Sequence, residues 1–540
     1  MSSGLMYLRQ DVAFEPLICR WYAWPLLVSP ATLALIAKNR LLPLLESFVD
    51  DPDFHRRSAK DPTLRGGSFV NHDGDVAQAE MLLEQLQEAL DAHLSFADAL
   101  LLANDLLLRD GDGSSLEPLY PRMPRMLRGL VELGYDLNNH ASLRLIEPLL
   151  YASELYDPSL QSVLLRRIGE EERPFILTTP LIDPSAGTLL NAPFDAPLYD
   201  DLARSRHQGV SADTYDHLCT RLVEHGADPA CVAQLFTDTP MAPRHAPVPP
   251  GSVRVRYFGH ASLLIESGGT AIMTDPSIGY DTGSGIDRFS FADLPETIDY
   301  VVLTHNHQDH VLLETLLQLR HRIGTVIVPR SNGGSVQDPS LRLALQMIGF
   351  ESVMELDELQ TLKIPGGAIV GLPFLGEHCD LHVRSKLGYQ IELNGQSVLC
   401  LADSNNLEPM LYERLSGLIP TPDVVFIGME CTGGPMSWLY GDLLPRRLRH
   451  EHDQSRRLNG SDFERARQIV DLLRPRGVLV YAMGAEPWFT HITSIVYTRE
   501  SAPIVESDKL VEHCRRRNIV AERMYGKREI LLDHRAVTLA

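Results

Sequence analysis

The sequence predicts a mixed α+β and α/β chain in two parts: a mainly helical N-terminal domain over residues 1–238 and, beyond a linker at 239–252, a domain of two sheets with helices outside over residues 253–540. Three observations predict it. Leu and Ala recur at three- and four-residue spacings through the first part, as in Met81–Leu108. Thr239–Ser252 carries five prolines in fourteen residues, which neither a helix nor a central strand tolerates. After it the texture changes to short β-branched runs separated by turns, and then to helix–strand alternation. A length of 540 residues also exceeds what one core normally serves.

In the first part, Met123–Leu133, Ala141–Leu155 and Tyr215–Phe236 repeat the helical pattern of Met81–Leu108. Phe175–Leu198 has short apolar runs broken by Pro and Gly and reads as extended arms. Trp24–Ala37 is apolar enough to mimic a targeting segment. It is too short to span a bilayer, holds two prolines and follows no basic region, so a buried helix is expected. His55, His72, His93 and His140 are scattered and read as ordinary histidines.

Composition narrows the function classes. Hydrophobic residues make up 44% and charged residues 22%, as in a soluble globular protein. Seventy-one acids against 49 Lys and Arg leave a net charge of −22, which argues against a nucleic-acid surface. The seven cysteines are odd in number and lack Cys-x-x-Cys spacing, so a reduced cytoplasmic setting without a membrane is expected.

In the second part, strands are expected at Val253–Tyr257, Ser262–Glu266, Ala271–Thr274, Tyr300–Leu303, Thr325–Val328, Ala368–Leu372, Leu387–Leu393, Ser397–Leu401, Val424–Ile427 and Val478–Tyr481. Helices fall at Val311–Arg320, Leu341–Ile348 and Phe463–Leu473, the last introduced by a capping-box pattern at Ser461–Glu464.

The chemistry concentrates in Thr304–His310, T-H-N-H-Q-D-H. It follows a strand and precedes a helix, so its side chains gather at one lip of a sheet. His305 and His307 alternate and point the same way, while Asp309 and His310 lie beyond the bend and can face a second ion. Imidazole nitrogen and carboxylate oxygen suit a divalent transition metal.

With F-G-H-A-S-L-L-I-E at Phe258–Glu266 and Asp275 in Thr-Asp-Pro, this H-x-H-x-D-H motif resembles the metallo-β-lactamase superfamily from Val253 onward. The resemblance implies an αββα sandwich with a dinuclear site at one edge, and Asp275 orienting a metal-binding His. Two landmarks depart from the hydrolase pattern. Where hydrolases offer a third His, the chain reads G-L-P-F-L-G-E-H-C-D at Gly371–Asp380, and spacing leaves both Glu377 and His378 open. Near the last strand, Val478–Glu486 holds no His, and His491 is out of register. Asp403, ending L-C-L-A-D at Leu399–Asp403, matches the carboxylate that bridges two ions.

Length, the helical first part and these departures resemble a narrower group: the diiron β-hydroxylases of chloramphenicol biosynthesis and their relatives, oxygenases of amino acids tethered to nonribosomal peptide synthetases. In that family Glu replaces the third His. The resemblance therefore implies His305, His307, Asp309, His310, Glu377 and Asp403 as ligands of two iron ions joined by an oxo or hydroxo bridge. It further implies O₂ as co-substrate, an external two-electron donor, and a carrier domain presenting the substrate on phosphopantetheine. L-para-aminophenylalanine is the amino acid suggested, in antibiotic biosynthesis. Independently, a carboxylate-rich set favours iron or manganese over zinc. His305, His307 and Glu377 are expected on one iron, Asp309 and His310 on the other, with Asp403 between them. A dinuclear zinc or manganese hydrolase of the same fold is the competing expectation.

Remaining candidates are less specific. Glu430 reads equally as a group behind the ligands or as a structural acid. Trp438, Tyr440 and Trp488 are expected near the site mouth, packing or flanking a substrate ring, and His260 is expected to help the early turn. Leu443–Arg457 has five arginines and could dock an acidic carrier. The N-terminal domain is expected to form a homodimer interface or shape the carrier site.

Overall fold

Short β-branched runs and the turns between them build two sheets packed face to face. The computed structural model describes residues 4–283 and 285–539. The first sheet has eight strands in the order Val353–Leu356, Ile323–Pro329, Ile298–Val302, Thr270–Thr274, Ser262–Ser267, Val253–Gly259, Arg528–Leu532 and Val537–Leu539. The second has seven: Thr361–Ile364, Gly367–Pro373, Leu387–Leu393, Gln396–Cys400, Val424–Gly428, Gly477–Tyr481 and Val520–Arg523. Val255, Ile265 and Ile272 from one sheet meet Ile391, Phe426 and Leu479 from the other in a buried core. Helices Phe463–Leu473 and Ala502–Arg515 cover the outer face of the second sheet. This is the αββα sandwich.

In each sheet the strands beside the site run parallel. Thr270–Thr274, Ile298–Val302 and Ile323–Pro329 form one parallel run, and Gln396–Cys400, Val424–Gly428 and Gly477–Tyr481 the other. Asp275, Thr304–His310, Asp403 and Glu430 all follow the carboxyl ends of these strands, where parallel sheets open their crevices.

The N-terminal part shares its core with the outer face of the first sheet. Helix Leu313–Leu319, which follows the histidine motif, is buried at all seven positions rather than amphipathic, because N-terminal elements cover its outer side. Each of its leucines contributes about 1.5–3 kcal/mol by leaving water, which anchors the motif. A buried ion network crosses the same junction: Arg173 donates to Glu15 at 2.8 Å and to Glu314 at 3.1 Å.

Trp24–Ala37 is the expected buried helical stretch, split at Ser29 into Pro25–Val28 and Pro30–Ile36. Elsewhere the helical reading is corrected. Val131–Tyr135 and Ala141–Leu145 form an antiparallel hairpin instead of belonging to two helices. The first strand alternates buried and exposed positions, and Asp136 turns the chain by accepting from the amides of Asn138 and His140, both at 2.8 Å. Only Glu147–Tyr151 is helical in the second stretch. Tyr215–Phe236 divides into helices Ala212–Glu224 and Pro229–Gln234 around Gly226, whose φ is +97°. A four-stranded sheet, Trp21–Tyr22, Val12–Ile18, Gln161–Arg167 and Thr188–Leu190, joins the helices; its last strand lies in the stretch read as extended arms.

Residues 239–252 contain no helix or strand, yet they are pinned: Arg244 donates to Asp293 at 2.8 Å and His245 lies 2.7 Å from Glu266. Helix Phe463–Leu473 is capped by Asp462, which accepts from Arg465 N, and not by a box on Ser461; the Ser461 hydroxyl instead accepts from Asn406 N at 3.0 Å.

Candidate metal centre

Strand Ile298–Val302 ends in the buried pair Thr304 and His305, held by Asp275 from the neighbouring strand end. Asp275 accepts from Thr304 N at 2.8 Å, from the Thr304 hydroxyl at 2.7 Å and from His310 Nδ1 at 2.8 Å. These bonds fix tautomers. His310 Nδ1 carries a proton, so in the neutral ring Nε2 is left with a lone pair. The Thr304 hydroxyl spends its one proton on Asp275, so it accepts from His305 Nδ1 at 3.0 Å and leaves His305 Nε2 free in the same way.

The freed nitrogens converge with carboxylates. His305 Nε2 is 3.0 Å from His307 Nδ1, and His307 Nδ1 is 3.3 Å from a Glu377 oxygen. With Nδ1 turned inward, His307 Nε2–H donates to the Tyr440 hydroxyl at 3.1 Å. On the other side, His310 Nε2 is 3.1 Å from Asp403 and 3.9 Å from Asp309. Donor atoms lie within 4.8 Å of one another in three sets: His305, His307 and Glu377; His305, His310 and Asp403; and His260, Asp309 and His310. The structure thus brings all six expected residues together. His260 is the addition. Its positive φ of 49° serves the early turn, as expected, but that turn also sends the ring into the site. Its Nδ1 accepts from Gly484 N at 3.0 Å, so in the neutral ring Nε2 bears the proton and faces Asp309 at 3.5 Å. It is a donor to Asp309 rather than a lone pair for metal.

Glu377 sits on a strained loop. Gly376, Glu377, Cys379 and Asp380 have φ of 76°, 62°, 54° and 56°. Two cations hold the carbonyls on either side: Lys386 Nζ donates to Gly376 O at 3.1 Å and Arg456 to Cys379 O at 2.7 Å. His378 packs with its ring centroid 4.4 Å from that of His307, and its buried Nε2 has no partner.

The electrostatics call for cations. Burial pushes the Glu377 carboxyl well up, and the nearby Asp403 and Asp309 push it further. Burial holds His305 well below its ordinary range and His307 down to about 4, so both are neutral donors. Burial lowers His310, but Asp403, Asp309 and Asp275 outweigh it and raise the group, so its Nε2 keeps a proton toward Asp403 until a cation displaces it and takes the lone pair. Asp403 Oδ1 is buried with no hydrogen-bond partner. Crowded carboxylates, neutral imidazole lone pairs and an orphaned carboxylate oxygen fit two divalent cations.

His307, Asp309, Glu377 and Asp403 floor a cavity of about 970 Å³, lined also by His260, Glu430, Trp438 and Tyr497. Glu430 holds its own loop, accepting from Thr432 N at 3.0 Å and Gly433 N at 2.9 Å, and also meets the Tyr497 hydroxyl. Trp438 lies at the cavity wall, whereas Trp488 packs inward under Arg288, 4.1 Å from its ring. His491 is turned to Arg173 and takes no part. The Arg-rich stretch divides: Arg446, Arg447 and Arg449 are exposed, while Arg456 and Arg457 turn in to hold carbonyls at the site.

Comparison with known proteins adds to this geometry. Residues 7–240 match the model of the diiron non-haem β-hydroxylase N-terminal domain, and residues 254–431 that of the β-lactamase superfamily domain. The chain is 42% identical, over 97% of its length and 99% of the relative's, to 4-amino-L-phenylalanyl-[CmlP-peptidyl-carrier-protein] 3-hydroxylase of Streptomyces venezuelae. It superimposes on the crystal structure of CmlA, a diiron β-hydroxylase from Streptomyces venezuelae, with a TM-score of 0.90 at 40% identity, covering 98% of this chain and 99% of that one. A metal-dependent hydrolase of Flavobacterium johnsoniae is 28% identical over 26% of this chain and 66% of its own.

Proposed function

The chain belongs to the diiron non-haem β-hydroxylases, and from that premise we propose that it hydroxylates the β-carbon of an amino acid thioester presented by a carrier domain. It is an oxygenase built on a hydrolase fold. The amino acid we assign is L-para-aminophenylalanine, because the relative sharing 42% of its residues is named for the 4-amino-L-phenylalanyl substrate. One observation carries the reading: a carboxylate, Glu377, completes the group with His305 and His307, which supports the expectation that it replaces the third imidazole of the hydrolases.

In this reading His305, His307 and Glu377 would hold one iron and Asp309 and His310 the other, with the Asp403 carboxylate shared between them, and the irons would supply O₂ activation. One oxygen atom enters the Cβ–H bond and the other leaves as water, with two electrons from an external donor and two protons. The chain's own part is positional. Asp275 and Thr304 present the lone pairs of His305 and His310, and His260 donates to Asp309. The cavity walls place the β-carbon above the floor.

The experiment is to reduce the iron-loaded protein, add ¹⁸O₂ and carrier-bound 4-amino-L-phenylalanine, and weigh the carrier. Incorporation of one ¹⁸O is expected. Release of the amino acid by thioester hydrolysis, without added oxygen, would favour the hydrolase reading.

A further inference from the structure

One wall of the cavity above the metal centre comes from the N-terminal domain. Leu64, Arg65, Gly66, Gly67 and Phe69 line it opposite the sandwich loops. The strap is seated firmly: Trp438 Nε1 donates to Gly66 O at 3.2 Å and the Thr178 hydroxyl to Gly67 O at 2.8 Å. Gly66 has φ of +83°, and a Cβ there would lie 2.5 Å from Ser494 Oγ, so only glycine lets the strap settle against that loop. Polarity along the cavity is uneven. Its floor holds Asp309, Glu377 and Asp403, its wall Glu430, and Arg65 is its single Arg or Lys among the described residues. The Arg65 side chain is 37% exposed, against 8% for Glu377, which puts it toward the mouth. Its one ion pair, with Glu172 at 3.6 Å, is long and solvated.

We propose that Arg65 is the subsite for the phosphodiester of the phosphopantetheine arm, so that the N-terminal domain reads the arm while the sandwich reads the amino acid. This rests on the carrier-bound reading above. The arm has one anionic group, at the carrier end, and is otherwise neutral. With the floor carboxylates taken up by the metal ions, Glu430 remains on the wall as an anion, and Arg65 is the one guanidinium or ammonium among the described residues lining the cavity that can receive the arm's phosphate. A guanidinium at the rim matches phosphate in shape and charge, and fixes the depth to which the thioester end reaches. The strap is therefore a measuring element, and its seat on Trp438 sets the distance.

The test uses the iron-loaded full chain and two soluble probes, the phosphopantetheine amide and the pantetheine amide of the amino acid, as inhibitors of carrier-bound turnover. In the wild type the phosphate is expected to tighten inhibition by on the order of fivefold. In Arg65→Ala the two probes are expected to inhibit equally, and Arg65→Lys to keep part of the difference. A wild type that does not distinguish the probes, or an Arg65→Ala protein that still does, would overturn the subsite. A wild type that never oxidises the carrier-bound substrate would overturn the hydroxylase reading first, before either probe is added.

Discussion

The hydroxyl of Thr304 gives its only proton to Asp275, 2.7 Å away, and this makes it an acceptor toward His305. One carboxylate, itself not a donor in any of the three candidate sets, thereby prepares two imidazoles. Asp275→Asn replaces two acceptor oxygens by one oxygen and an amide, so at least one of the three bonds is lost or reversed. Iron retention against a chelator is expected to fall about 10- to 100-fold, and Thr304→Val to fall by less. Retention equal to wild type in Asp275→Asn would contradict this role.

Glu377 depends on its neighbours in a similar way. A left-handed non-glycine residue is strained by about 1 kcal/mol or more, and Lys386 and Arg456 hold the loop that carries it. Lys386→Met keeps the packed stem but loses the bond to Gly376 O. The cobalt-substituted protein should show altered d–d bands and weaker metal retention, with Lys386→Arg closer to wild type. Identical bands in Lys386→Met would remove Lys386 from this role.

Much of this centre was legible in the chain, and the parts that were not have physical reasons. Thr304–His310 announced itself because three histidines and an aspartate follow a strand, and Glu377 because family resemblance separated it from His378. His260 was read only as a turn residue, since nothing local says that a positive φ of 49° aims its ring at Asp309. The hairpin at Val131–Leu145 passed for helix because Leu127, Leu130 and Val131 before it, and Leu145 and Leu149 at its end, recur at three- and four-residue spacings that hide the two-residue period of Val131 and Leu133 and of Leu143 and Leu145. The helix expected at Val311–Arg320 carries Glu314 and Gln318 among its leucines, and the chain gives no local sign that they are covered: Tyr22, which donates to Glu314 at 3.0 Å, lies 292 residues earlier.

A second buried acid sets a pH dependence. Glu147 accepts from Ser340 N at 2.9 Å, and burial raises its carboxyl from 4.5 to about 7. The unfolded chain loses this proton first, so the group leaves stability intact below pH 4.5 and lowers it as pH rises to about 7, by about 3 kcal/mol in all. Glu147→Gln keeps an acceptor for Ser340. Urea unfolding at pH 8 should show it more stable than wild type, with the gain shrinking as pH falls toward 4.5. A gain that does not change with pH would contradict the titration.

The exposed trio Arg446, Arg447 and Arg449 offers positive charge at the surface of an acidic protein. Charge reversal at all three should raise KM for the carrier-bound substrate about tenfold at low salt with kcat little changed, and the difference should fade as salt rises. An unchanged KM would place docking elsewhere.

An anomalous-difference map at the iron edge, from crystals of the iron-loaded protein, tests the central claim most directly. Two iron peaks are expected, one among His305, His307 and Glu377, the other beside Asp309 and His310, with Asp403 between them. A single peak, or a pair in which His378 is a ligand and Glu377 is turned away, would contradict it.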